Sequence, residues 1–192
     1  MANNHRLGGT NKVIIGLVGK IACGKGTIAE YLNKKYNAPS YRFSTPLRDA
    51  LNRLHLEITR ENMQNISKVL REGFGDDLLA KVIAGDVANE TSNLIIIDGI
   101  RRLSDIKYLK DLPEFKLVKI ETDPKIRYER LTSRTENTDD SKKTYEQFLA
   151  DEKQETEMTI PEVMEQAKLT LTNNSTQEDL QQQIDNLIKK LT

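Results

Sequence analysis

The chain has 192 residues, 37% of them apolar, with 29 Lys and Arg against 29 Asp and Glu. That is enough for one domain with its own core, and it gives no broadly basic surface for nucleic acid, although a local basic pocket remains open. The lone Cys23 cannot pair internally, and with only His5 and His55 beside it no usual zinc set can form, so a reducing, cytoplasmic setting is expected.

Residues 1–11 are polar and lack the apolar core of a secretory signal. The first apolar run, Val13 to Val18, reads as a parallel strand covered on both faces, spanning 12–18. It and the later run at 94–97 are far shorter than the roughly 20 residues a membrane helix needs, so no membrane partner is expected. A glycine-rich stretch, Gly19 to Thr27, leads into a helix beginning near Ile28. Further strands are predicted at 40–44, 94–98, 115–121 and 168–172. Thr45-Pro46 and Asp123-Pro124 each place a capping side chain before a proline at the first helical position. Residues 46–92 hold about three helical stretches, more than one crossover between strands requires. The polar run 135–142 reads as a mobile loop, and the acidic excess over 136–162 as a solvated helix face. Ser175 with Glu178 fits a capping box for a last helix whose apolar face carries Leu180, Ile184, Leu187, Ile188 and Leu191. Strands alternating with helices predict an α/β domain with a parallel sheet.

The segment Gly19-Lys20-Ile21-Ala22-Cys23-Gly24-Lys25-Gly26-Thr27 has what a polyphosphate site requires. Glycines let backbone N–H groups approach phosphate closely, a helix N-terminus adds partial positive charge, and Lys25 can reach the terminal phosphates. Gly19, Ile21, Ala22, Cys23, Gly24, Lys25, Gly26 and Thr27 are therefore the candidate ATP-binding residues. Gly26 stands where a hydroxyl commonly ligates Mg²⁺, and Thr27 follows one position later. This form resembles the adenylate kinase group of nucleoside monophosphate kinases, in which magnesium is held largely through water.

The resemblance extends along most of the chain. Phe43-Ser44-Thr45-Pro46-Leu47-Arg48 sits where those kinases carry a Ser/Thr-rich helix start ending in an arginine that grips the acceptor phosphate, which makes Arg48 a candidate for that role. Asp98-Gly99-Ile100-Arg101, after the strand at 94–98, is similar to the Asp-x-x-Arg pattern of phage-type deoxynucleoside monophosphate kinases and of dephospho-CoA-kinase-like archaeal and bacterial proteins. It implies that Asp98 orders Mg²⁺ through water, with Thr27 as the other metal contact, and that Arg101 or Arg102 binds the acceptor phosphate. Arg130 and Arg134, four apart on a predicted helix, resemble paired lid arginines that close over the transferring group. The alternative is a solvated basic helix end. Arg127 is set outside that pair, and Arg60 and Arg71 are weaker acceptor contacts. Asn173-Asn174 is a candidate adenine-side loop, or simply a turn.

Two departures bear on substrate. No Asp-x-Pro-Leu segment follows the third strand, unlike bacterial dephospho-CoA kinases, and no Asn-Lys-x-Asp guanine-reading motif is present, which favours ATP over GTP. The implied protein is a three-layer P-loop kinase sandwich over 1–192 with a five-stranded parallel sheet, a helical acceptor insertion at 46–92 and a short lid at 130–144. Its expected activity is ATP- and Mg²⁺-dependent phosphorylation of a (deoxy)nucleoside monophosphate, with Lys25, Asp98, Arg130 and Arg134 catalytic and Arg48, Arg71, Arg101 and Arg102 on the acceptor. The alternatives are a dephospho-CoA kinase or a non-kinase nucleotide switch. The expected partner is a small phosphorylated nucleoside rather than nucleic acid, and the chain a monomer or homodimer.

Overall fold

The computed structural model describes residues 12–133, 143–153 and 158–192. Its centre is β1 (Val13–Val18), six consecutive buried residues. Side chains alternate across a strand, so these six divide between two layers. Val13, Ile15 and Leu17 join one apolar cluster, which contains Ile28 and Leu32 of α1 (Lys25–Tyr36) and Leu180, Ile184 and Ile188 of the last helix. Ile14 and Val18 join the other cluster, with Leu47, Leu79, Ile83, Val87, Ile160 and Val163. The second strand of the interior, β3 (Leu94–Asp98), divides in the same way: Leu94 and Ile96 on one side, Ile95 and Ile97 on the other. An apolar run without polar alternation thus becomes the middle of a three-layer sandwich.

The remaining strands are β2 (Ser40–Arg42), β4 (Phe115–Glu121) and β5 (Leu169–Thr172). All five are parallel, in the order β2-β3-β1-β4-β5. Between β2 and β3 come α2 (Thr45–Arg53), α3 (Arg60–Phe74) and α4 (Leu78–Asn89), the three stretches expected there. A 3₁₀ turn (Leu103–Ile106) follows β3, and α5 (Pro124–Ser133) follows β4. Then come α6 (Tyr145–Asp151), α7 (Ile160–Glu165) and, after β5, α8 (Gln177–Leu191). The chain passes from one side of β1 to the other between β3 and β4. Crossovers of that kind open a crevice at the carboxyl edge of a parallel sheet, where ligands bind. Among the described residues no helix is long and apolar enough to cross a membrane.

Several boundaries differ from the sequence reading: β1 begins at Val13, β5 at Leu169 and α1 at Lys25, and three further differences have a local cause. β2 ends at Arg42, because Phe43 turns inward and is buried in the second cluster, its N–H donating to the Asp98 carbonyl at 3.3 Å. α2 takes Thr45 as its first residue, with Ser44 as N-cap and Pro46 one step inside. The last helix is capped by Thr176, not Ser175: Thr176 accepts from the Asp179 N–H at 3.2 Å, while the Ser175 hydroxyl bonds the Asp179 carboxylate. Two adjacent hydroxyl residues offered two starts, and the extended backbone of Thr176 (ψ 165°) takes the cap. The proposed mobile loop at 135–142 lies outside the described residues.

Candidate functional site

Residues 19–24 connect β1 to α1 at the carboxyl edge of the sheet. Their carbonyls are engaged from behind. The Ile21 carbonyl accepts from Arg127 Nη1 at 3.4 Å, and the Cys23 carbonyl accepts from Thr122 Oγ1 at 3.1 Å and Asn173 Nδ2 at 2.9 Å. In a planar trans peptide the carbonyl and the following N–H point in opposite directions. Anchoring those two carbonyls therefore turns the amides of Ala22 and Gly24 the other way. Among the described residues the amides of Gly24, Lys25, Gly26 and Thr27 donate to no acceptor; the first helical bond is Ile28 N–H to the Gly24 carbonyl, at 3.0 Å. A row of open N–H groups at the start of a twelve-residue helix suits an anion.

Lys25 belongs to the same loop. Its Nζ donates to the Gly19 carbonyl at 2.7 Å and the Lys20 carbonyl at 3.2 Å, and lies 3.7 Å from Cys23 Sγ. Cys23 is 1% exposed, its thiol packed under Gly19, where a Cβ would come within 2.6 Å of the sulfur. The backbone of Cys23 faces the loop while its side chain fills the core. Gly24 adopts φ 103°, and a Cβ there would sit 2.2 Å from Asn173 Nδ2, so only glycine fits. Gly26 has open space where a Cβ would stand, and Thr27 is exposed.

Asp98 ends β3, the strand beside β1, one step beyond the pairing of Gly16 with Ile97. The carboxylate is half-buried: Oδ1 accepts from the Gly99 N–H at 2.8 Å and Oδ2 lies 3.5 Å from Arg42 Nε. Among the described residues no three His, Cys, Asp or Glu side chains gather as a metal cage. The two metal candidates of the sequence come from different elements, Asp98 from the end of β3 and Thr27 from the first turn of α1.

The arginines fall into three groups. Arg48 lies on α2, exposed. Arg101 and Arg102 form the turn after β3, both backbone N–H groups donating to Asp105 Oδ2 at 2.9 and 3.0 Å. Arg71 is joined to this turn rather than open: its Nη2 lies 3.6 Å from Asp105 Oδ1, and its Nη1 donates to the Asp76 carbonyl. On α5, Arg130 Nη2 donates to Asn173 Oδ1 at 3.2 Å, while its Nη1 is shielded from solvent and has no hydrogen-bond partner among the described residues. Arg134 lies outside the described residues, and of Arg60 only its place at the start of α3 is described.

Sequence reasoning did not single out Arg42, Thr122, Asp105 or Glu152, and it left Arg127 without a role. Arg127 is 2% exposed. It bonds the Thr122 carbonyl at 3.0 Å, pairs with Glu152 and lies over the Phe148 ring at 5.3 Å. Glu152 also reaches Lys20 at 3.4 Å, so the segment after α6 touches the loop directly.

Residues 18–148 match the family model described as AAA domain, more than half of the chain. A UPF0200 protein of Thermococcus gammatolerans is 30% identical over 184 residues, covering 93% of this chain and 95% of that one. The chain belongs to both families. A UPF0200 protein of Methanocaldococcus jannaschii is 28% identical over 181 residues, covering 93% and 90%. Among solved structures, shikimate kinase from Bacteroides thetaiotaomicron superposes with a TM-score of 0.63 at 17% identity, over 93% of this chain and 98% of that one. At that identity the likeness shows the fold alone.

Proposed function

We propose that the chain transfers the γ-phosphoryl group of ATP to a small phosphorylated nucleoside, a (deoxy)nucleoside monophosphate. The observation that carries this reading is the row of open amides from Gly24 to Thr27, with Lys25 tied into the same loop and Asp98 beside it on the neighbouring strand. The amides and Lys25 hold the β- and γ-phosphates. Asp98, through water, and Thr27 would hold Mg²⁺, which would supply charge neutralisation between the phosphates. An acceptor phosphate oxygen attacks the γ-phosphorus, the bond to the β-phosphate bridging oxygen breaks, and ADP leaves with that electron pair. The protein's part is positioning and electrostatic stabilisation.

Arg48, Arg101 and Arg102 hold the acceptor's own phosphate in line, because guanidinium offers a planar fork and stays charged when desolvated. Arg71 acts through Asp105, fixing the turn that carries Arg101 and Arg102. Arg130 and Arg134 neutralise charge on the transferring group, and α2, α3 and α4 form the acceptor lobe.

The test is ADP release measured over a panel of nucleoside and deoxynucleoside monophosphates and dephospho-CoA. A monophosphate should raise ADP release well above background, and Lys25→Ala should lower turnover at least about a hundredfold. Turnover with dephospho-CoA alone replaces the acceptor. ATP binding with no productive acceptor replaces the kinase with a nucleotide-dependent switch.

A further inference from the structure

Asn173 is the first residue beyond β5 and is 6% exposed. Its N–H donates to the Glu121 carbonyl at 2.9 Å, extending the pairing of β4 with β5 by one residue and fixing the side chain's origin. The side chain then does two things at once. Nδ2 donates to the Cys23 carbonyl, and Oδ1 accepts from Arg130 Nη2. A carbonyl on one side and a guanidinium on the other require a donor and an acceptor on one short planar group, which is what a primary amide supplies. The fit against the loop is close, since Nδ2 occupies the place where a Cβ on Gly24 would point.

We infer that Asn173 is a positioning residue for phosphoryl transfer, aiming the Gly24 amide and the Arg130 guanidinium into the same site. The inference rests on the reading of residues 19–27 as the ATP cradle. With Thr122 on the same acceptor, the Asn173 amide fixes the peptide joining Cys23 to Gly24, so the Gly24 N–H faces away from both and toward the phosphates. On its other side it occupies one nitrogen of Arg130. The second nitrogen, Nη1, is withdrawn from water without an acceptor among the described residues, a costly arrangement for a charged donor. A nucleotide phosphate oxygen is the ligand whose chemistry answers that donor. Asn173 thus prepays the ordering of an amide and an arginine before ATP arrives.

The test measures affinity for a fluorescent ATP analogue and kcat for the full chain and for Asn173→Ala, Asn173→Asp, Arg130→Ala and the double variant Asn173→Ala with Arg130→Ala. Asn173→Ala should raise the nucleotide Kd about tenfold, the scale of one buried hydrogen bond to a polar group, and should also lower kcat. Asn173→Asp preserves shape but sets a carboxylate against the Cys23 carbonyl, so its Kd should rise at least as much. In the Arg130→Ala background, Asn173→Ala should cause no further loss of kcat while still raising Kd. A Kd within twofold of wild type in both Asn173 variants overturns the inference, as do kcat losses that multiply in the double variant. If the wild-type chain binds nucleotide but turns over no acceptor, the kinase reading fails on its own, and the affinity measurements still decide the aiming of the loop.

Discussion

Arg42 and Asp98 stand opposite each other at the ends of β2 and β3, paired in register, with Arg42 Nε 3.5 Å from Asp98 Oδ2. The arginine side chain is 55% exposed and the carboxylate 15%, so the pair adds only about 0–1 kcal/mol to stability. Its consequence is to hold Oδ2 of the carboxylate that ends the strand beside β1. Arg42→Ala should melt within a few degrees of wild type, yet lower turnover about tenfold, and Asp98→Asn about a hundredfold. Wild-type turnover in both variants would remove Asp98 from the mechanism.

Two glycines of the loop should respond in opposite ways. Gly24→Ala must place a methyl 2.2 Å from Asn173 Nδ2 at φ 103°, so it should lose about 1–3 kcal/mol of stability and most nucleotide affinity. Gly26→Ser meets nothing within 4 Å of its Cβ and should fold normally. It restores a hydroxyl next to Lys25, so the Mg²⁺ concentration for half-maximal turnover should fall. A titration of Mg²⁺ at fixed ATP reads this directly, and an unchanged midpoint would count against placement of the metal at this turn.

Arg127 is the buried charge that joins α5, α6 and the loop. Among the described residues, removing it leaves Glu152 with Lys20 alone and takes away the contact with Phe148. Arg127→Ala should cost about 3 kcal/mol in urea unfolding, the scale of breaking a buried pair. A loss under about 1 kcal/mol would show that Glu152 and Phe148 hold this junction without it.

A pH-dependent contact lies at the edge strand β2. Glu90 accepts from the Tyr41 hydroxyl at 2.7 Å and from Ser92 N–H and Oγ, both at 2.9 Å. The Tyr41 bond, then those of Ser92, hold its carboxyl down to about 2. Its contribution is present above the unfolded value of about 4.3 and is lost as pH falls toward the folded value. The Tyr41 phenol is pushed up to about 12, first by Glu90 and then by burial, so its contribution is lost as pH rises through that range. Glu90→Gln should flatten the acid limb of a melting profile between about pH 4.3 and 2. An unchanged acid limb would assign the acid sensitivity to other groups.

What was legible in the sequence is what is local in the chain. The apolar run 13–18, the glycine spacing of 19–26 and the acid ending 94–98 are consecutive residues, and each appears in the fold as a strand, a loop or a strand end. The anchors of the loop are not local. Arg127 meets Ile21 across 106 positions and Asn173 meets Cys23 across 150, so no spacing rule connects them. Arg71 read only as a weaker acceptor contact, and its pairing with Asp105 was hidden because that partner comes from a turn beyond two further elements. Ser175 and Thr176 show the remaining ambiguity: both can cap, and backbone conformation chooses.

Residues 24–27 are proposed to present their main-chain amides to a triphosphate. Titrating isotopically labelled chain with ATP and Mg²⁺, and following the amide resonances by NMR, tests it most directly. The Gly24, Lys25, Gly26 and Thr27 amides should move farthest and saturate together, and the Lys25→Ala chain should need much more ATP. Saturable ATP binding that leaves those four resonances in place would contradict the proposal.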